Sequence, residues 1–240
     1  CAGPRMVVSA SIQRRLPMGV MRFLVLPAEA AADWPEASSA YITALDGRVY
    51  SGRVELHGNV LACTRATSDS GKLHVAWPVA GFGRPVLTTA SLPESDQPYL
   101  LVLELARGKI GELREQVFQW ETAGMAISPE FRSLQKQAFA HFSKASASRG
   151  DPPAAVQAAQ RALDLAVEAA DMLGRSYTAQ RRQSRKAWSM HPPALLGCTV
   201  DESALSGSLQ EFFFGTFTAA SVPMEWSRVE PVEGMYGWQA

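Results

Sequence analysis

The carboxylates and aromatic rings crowded between residues 222 and 238 are the residues of this chain best suited to chemistry. Val222–Pro223–Met224–Glu225–Trp226 is followed by Glu230–Pro231, and then Gly234, Tyr236 and Trp238 at alternate positions. Glu230 and Glu233 flank Pro231 and have the types needed for paired acid/base work, but a solvent loop accounts for them more simply. A second group of rings, Trp34, Trp77 and Tyr99, raises a carbohydrate-binding reading in which sugar rings stack on aromatic faces. Trp77 shares a period-two face with Leu73 and Val75, so it belongs to a core. Trp34, beside Pro35 in a loop, is the better sugar contact.

Other constellations carry less. His57 and His74 lie on β text without a third ligand, so no metal site is expected. Asp69, Ser70 and His74 have the types of a hydrolase triad, but no Gly-x-Ser-x-Gly elbow accompanies them, and a loop joining two strands explains them. Gly81–Phe82–Gly83–Arg84 has too few glycines for a phosphate loop, and Pro85 argues against a helix start behind it. Arg181–Arg182–Gln183–Ser184–Arg185–Lys186 is the one basic cluster, and a helix end favours cations through its dipole. No motif calls for a cofactor.

Composition narrows the classes further. Lys plus Arg and Asp plus Glu both number 23, so net charge gives no reason to expect nucleic acid or an acidic membrane as partner. No apolar run approaches the ~20 residues of a membrane span. Cys1, Cys63 and Cys198 lie far apart with no paired spacing, which predicts free thiols and neither zinc nor a disulfide framework. The apolar core of the segment from Met21 to Leu26 is about four residues, too short for a secretory signal, and no compartment is indicated.

The elements that must position these residues divide the chain by period. Residues 1–20 are patternless and basic and are expected as an unstructured extension. Residues 21–106 read as a β-rich, sandwich-like accessory domain. There Tyr41–Leu45, a turn at Asp46–Gly47, Arg48–Leu56, a turn at His57–Asn59 and Val60–Thr64 form a meander. Lys72–Trp77 alternates with period two, and Tyr99–Leu105 is a continuous apolar run expected as a buried strand. Residues 107–190 are expected as a helical connector. Ile110, Leu113, Val117 and Trp120 recur at helical spacing, and Ser128–Pro129 caps a second helix. Asp151–Pro152 opens a third, whose seam is Val156, Ala159, Leu163, Val167, Ala170 and Leu173. From 191 to 240 a strand (194–200), a helix (203–214) and a second strand (217–226) follow, the opening of a parallel β/α fold.

The ordered set Phe217, Trp226, Glu230–Pro231, Gly234, Tyr236, Trp238 resembles the second strand and following loop of the barrel in glycoside hydrolase family 10, the endo-1,4-β-xylanases and their relatives. The resemblance covers residues 194–238. Residues 21–190 are similar to the long extension ahead of the barrel in some bacterial relatives. It implies an α+β chain made of a β-rich domain, a helical connector and the opening β-α-β of a truncated (β/α)8 barrel. It also implies a polysaccharide or oligosaccharide substrate, xylan-like, hydrolysed with retention by two carboxyls about 5–5.5 Å apart. Family members carry those glutamates on the fourth and seventh strands, so no catalytic residue is expected within this chain, which alone is expected to be inactive. Glu225 and Trp226 fall at sugar-contacting positions. The chain departs from the family where Thr218 stands in place of an Asn and where Val222–Pro223–Met224 replaces a polar run. The alternative is a non-catalytic carbohydrate-binding or scaffold module.

Overall fold

A computed structural model describes residues 19–188, 195–200 and 207–238. The expected extension (except its last two residues) and the break at His191–Pro193 lie outside the described residues. The chain divides into two compact units, residues 1–180 and 181–240. The described residues form a mixed α+β structure with five α-helices and several small sheets, none closed into a barrel.

Among the described residues of the first unit, seven short strands make two sheets. β1 (Gly19–Leu24), β3 (Gly52–His57), β4 (Val60–Arg65) and β7 (Tyr99–Leu100) form one in the order β3-β4-β1-β7, with β7 parallel to β1 and the other pairs antiparallel. β2 (Tyr41–Thr43), β5 (Lys72–Ala76) and β6 (Val86–Thr88) form the other in the order β2-β5-β6. Alternation sets which side chains enter the core. Met21 and Phe23 on β1 pair with Cys63 and Leu61 on β4, and all four are buried. The same rule puts Leu73, Val75 and Trp77 inside. The turns at Asp46–Gly47 and Gly58 fall where the sequence places them, but the expected meander is split. The hairpin across Asp46–Gly47 forms only over its first residues, with Thr43 opposite Val49, while the ladder of β2 is with β5 and β3 pairs with β4 in the other sheet.

The largest departure is at residue 101. The run Tyr99–Leu105 is a two-residue strand that passes into helix α1 (Leu101–Thr122). A continuous apolar run signals burial without fixing a period. Here Leu101, Val102, Leu103, Leu105 and Ala106 are all buried because the start of the helix lies in the core. Residue 106 therefore falls within a helix, and one apolar cluster runs across it, from Met21, Phe23 and Leu61 through Leu101 and Leu105 to Ala159 and Leu163. Each large side chain so buried contributes roughly 1.5–3 kcal/mol. Gly108 makes the helix-on-sheet contact possible, since a Cβ there would lie 2.0 Å from the Thr88 carbonyl oxygen.

Helix α2 (Pro129–Ala147) begins as expected, with the Ser128 hydroxyl accepting from the Phe131 N–H at 3.2 Å. Helix α3 (Pro152–Trp188) is a 37-residue helix. Its buried positions include Ala159, Leu163, Val167 and Leu173 from the expected seam, joined by Ala155, Ala158, Ala162, Ala166 and Ala169. Leu113, Val117, Phe131, Ala169 and Leu173 form a second cluster contributed by all three helices. The polar edge of α3 also binds the β5–β6 hairpin. The Trp77 indole donates to Gln160 Oε1 at 2.8 Å, and the Ala80 N–H donates to Asp164 Oδ1 at 3.2 Å.

The second unit contains β8 (Gly197–Thr199), α4 (Ser208–Thr216), β9 (Ala219–Ser221) and the one-turn α5 (Trp226–Val229). β8 and β9 are parallel, with Cys198 opposite Ala220. The expected strand–helix–strand order is present with shorter elements. In particular, the strand expected to run to Trp226 ends at Ser221, and Trp226 opens a helical turn.

Candidate functional site

An aromatic loop follows the carboxyl end of β9. Glu225 precedes α5 as its exposed N-cap without capping it through its side chain. Trp226 is 59% exposed, and its ring lies 6.1 Å from Tyr236, edge to face. Tyr236 in turn stacks on Trp238, 6.0 Å away with the planes 14° apart. The three rings thus make a contiguous, solvent-facing aromatic surface, with the Glu225 carboxylate adjacent in sequence to its first member.

The loop is braced by Glu230. Its Oε1 accepts from the Gly234 N–H at 2.7 Å, across a turn in which the Met235 N–H donates to the Val232 carbonyl at 2.9 Å. Gly234 has φ +78°, which a side chain would strain. The Gly237 N–H then donates to the Val229 carbonyl at 2.8 Å, returning the chain to α5. Glu–Pro–x–x–Gly is accordingly a loop-shaping sequence in this structure. Thr218 accepts from the Leu196 N–H at 3.0 Å and so ties β9 to the start of β8.

Trp34 corrects the sequence reading. It does precede a 3-10 turn (Pro35–Ser39), but it is only 5% exposed. Its indole donates to the Ala76 carbonyl at 2.9 Å, and it meets Trp77 edge to face with centroids 5.5 Å apart. An indole whose N–H finds a backbone partner can be buried at little penalty. With both tryptophans in the core, Trp34 has no open face for a sugar.

The remaining polar groups divide by environment. His74 places its ring nitrogens 2.9 Å from the Thr43 hydroxyl and 3.0 Å from the Thr88 hydroxyl, and it stacks on Tyr41. Burial, reinforced by the Lys72 charge, holds its pKa below the usual histidine value. His57 instead contacts Glu55 at the surface. Burial pushes the Cys63 thiol up to about 12, which removes it as a nucleophile. Among the described residues, no three His, Cys, Asp or Glu side chains gather as metal ligands, and no helix is long and apolar enough to cross a membrane.

Sequence reasoning missed a pair in the first unit. Glu104 is 3% exposed and carries its carboxyl above the usual range, because burial outweighs the charges of Arg107 and Arg149. Reading residues 99–105 as a strand hid the fact that Glu104 and Arg107 share a helix face. The Glu-x-x-Arg spacing was the available signal. No protein-family profile, no curated protein and no solved structure matches this chain.

Proposed function

We propose that residues 195–238 are the opening strand–helix–strand of a family 10-like glycosidase barrel, and that the whole protein hydrolyses O-glycosidic bonds in a xylan-like polysaccharide with retention. The observation that carries this reading is the exposed Trp226–Tyr236–Trp238 surface following the carboxyl end of a parallel strand pair. Parallel β/α barrels bind their ligands at that end of the strands. Aromatic faces suit the C–H-rich faces of pyranose rings, and a free carboxylate such as Glu225 suits their hydroxyls. Glu225 and Trp226 are assigned to substrate contact, and no residue of this chain is assigned to bond cleavage.

A non-catalytic carbohydrate-binding role uses the same surface. What favours it is that Glu230, one of the two carboxylates within the loop, is occupied in bracing the turn. Titration of the chain with xylohexaose, followed by tryptophan fluorescence, tests both readings. Saturable quenching that is lost in Trp226→Ala is expected. If xylohexaose has no effect, or an equal effect on Trp226→Ala, the loop is not a sugar site. Release of reducing ends from xylan by the full-length natural protein separates the enzyme from the binding module.

A further inference from the structure

A groove of about 510 Å³ runs between α1 and α2 on the surface of the first unit. Ile110 and Val117 of α1, both buried, lie at its floor, while Phe118 of α1 and Phe139 of α2 line it 72% and 52% exposed. From Ile110 to Glu121 the lining residues of α1 advance by the three- and four-residue steps of one helix face, so the groove follows α1 for roughly 17 Å. Single exposed rings are ordinary on a protein surface. Two large rings along one groove with an apolar floor are the mark of an interaction site.

Charge defines what the groove accepts. Three cations border it, and one of them, Arg132, is ion-paired with Glu121 and donates to Gln135. Arg114 and Lys136 are exposed and make no ion pair or side-chain hydrogen bond among the described residues. The groove therefore holds two positive charges in excess, although the chain as a whole has a formal net charge of +0. Shape narrows the partner further. The space between two adjacent helices takes the side-chain ridge of a third helix. The flat face of a bilayer would meet Phe118 and Phe139 and leave the floor uncovered. A second copy docking through the same face would bring the same excess of positive charge against it.

We propose that the α1–α2 groove docks an amphipathic helix of an acidic partner protein. Apolar side chains at i, i+4 and i+7 of that helix enter between Phe118 and Phe139 and cover Ile110 and Val117. Asp or Glu residues beside them pair with Arg114 and Lys136. The assignment concerns the first unit and stands apart from the reading of the aromatic loop.

Selection of a surface-displayed library of helical peptides against the 240-residue chain tests it, with peptides about 16 residues long so that they span the groove. Enriched sequences should carry the i, i+4, i+7 apolar anchors flanked by Asp and Glu. The leading peptide, made synthetically and titrated by fluorescence anisotropy, should bind Phe118→Ala and the double variant Arg114→Glu, Lys136→Glu about tenfold or more weakly than the unaltered chain. All three positions are exposed, so the melting temperature should not change. Exchanging Glu for Lys in the peptide should restore its affinity for the charge-reversed variant. The proposal is overturned if no helical peptide is enriched, if the enriched peptides lack acidic residues, or if the leading peptide binds Phe118→Ala as tightly as the unaltered chain. Binding to phosphatidylglycerol vesicles that is lost in Phe118→Ala would overturn it in favour of a membrane contact. A dimer in sedimentation equilibrium that Phe118→Ala dissociates would overturn it in favour of a second copy.

Discussion

The two units draw on the same kinds of side chain and dispose of them oppositely. In the first, strands and helices bury Phe23, Leu61, Leu73, Leu101, Leu105, Phe131 and Leu163 almost completely. In the second, Leu195, Leu209, Phe212, Phe214, Trp226 and Trp238 are all exposed, and Val229 is the one buried residue among those described from 195 to 238. The difference lies in the number of facing layers. A strand pair and a helix in isolation offer each apolar face too few partners, and a parallel sheet needs cover on both sides. The first unit supplies that cover with two sheets and three helices meeting in one cluster.

Breaking that contrast takes mutations that are equal in chemistry and unequal in setting. Phe23→Ala should cost about 3–5 kcal/mol, whereas Phe214→Ala should change stability by no more than about 0.5 kcal/mol. Thermal melts of the two variants check this, and equal losses would mean that the second unit has a core of its own. Gly108→Ala sharpens the packing argument, because helix propensity alone predicts a gain of roughly 0.5–1 kcal/mol. The Thr88 carbonyl oxygen at 2.0 Å from the added carbon predicts instead a loss of about 1–3 kcal/mol, read as a lower urea midpoint.

Glu104→Gln should move stability the other way and raise it at pH 7. Burial raises the folded-state pKa of Glu104, so the folded chain disfavours its charged form. That penalty is absent below the unfolded-state pKa of about 4.3, grows as pH rises, and is complete above the folded value. The unaltered chain and Glu104→Gln should therefore melt together near pH 4 and separate toward pH 7, with the variant more stable. The smallest expected effect is that of deleting residues 194–240, which should raise solubility and leave the melting transition of the remainder within about 0.5 kcal/mol. A drop of several degrees would show that the first unit depends on the removed segment.

Local signals with a single physical solution were legible in the sequence. Ser128–Pro129 could only start a helix cheaply, and its cap hydrogen bond is present. The period-two face of Leu73, Val75 and Trp77 turned inward, and the seam of α3 held over its length because Ala159, Leu163, Val167 and Leu173 repeat at helical spacing. The turns at Asp46–Gly47 and Gly58 follow from the positive φ that glycine tolerates there. The aromatic loop was legible as a group of residues, but not as a stacked surface.

What the sequence determined by itself was periodicity, turns, caps and the absence of strong charge bias, all of which depend on neighbours a few residues apart. Tertiary structure decided the rest. The run from Tyr99 to Leu105 is buried in either a strand or a helix, and only the surrounding core selects the helix that sets Glu104 beside Arg107. Tyr41–Thr43 carries no mark of choosing Lys72–Ala76 over Gly52–His57 as its partner, because strand pairing is fixed by packing at long range. Trp34 reads as a surface ring until the Ala76 carbonyl satisfies its N–H and Trp77 meets its face, since burial of an amphipathic side chain is settled by partners distant in sequence.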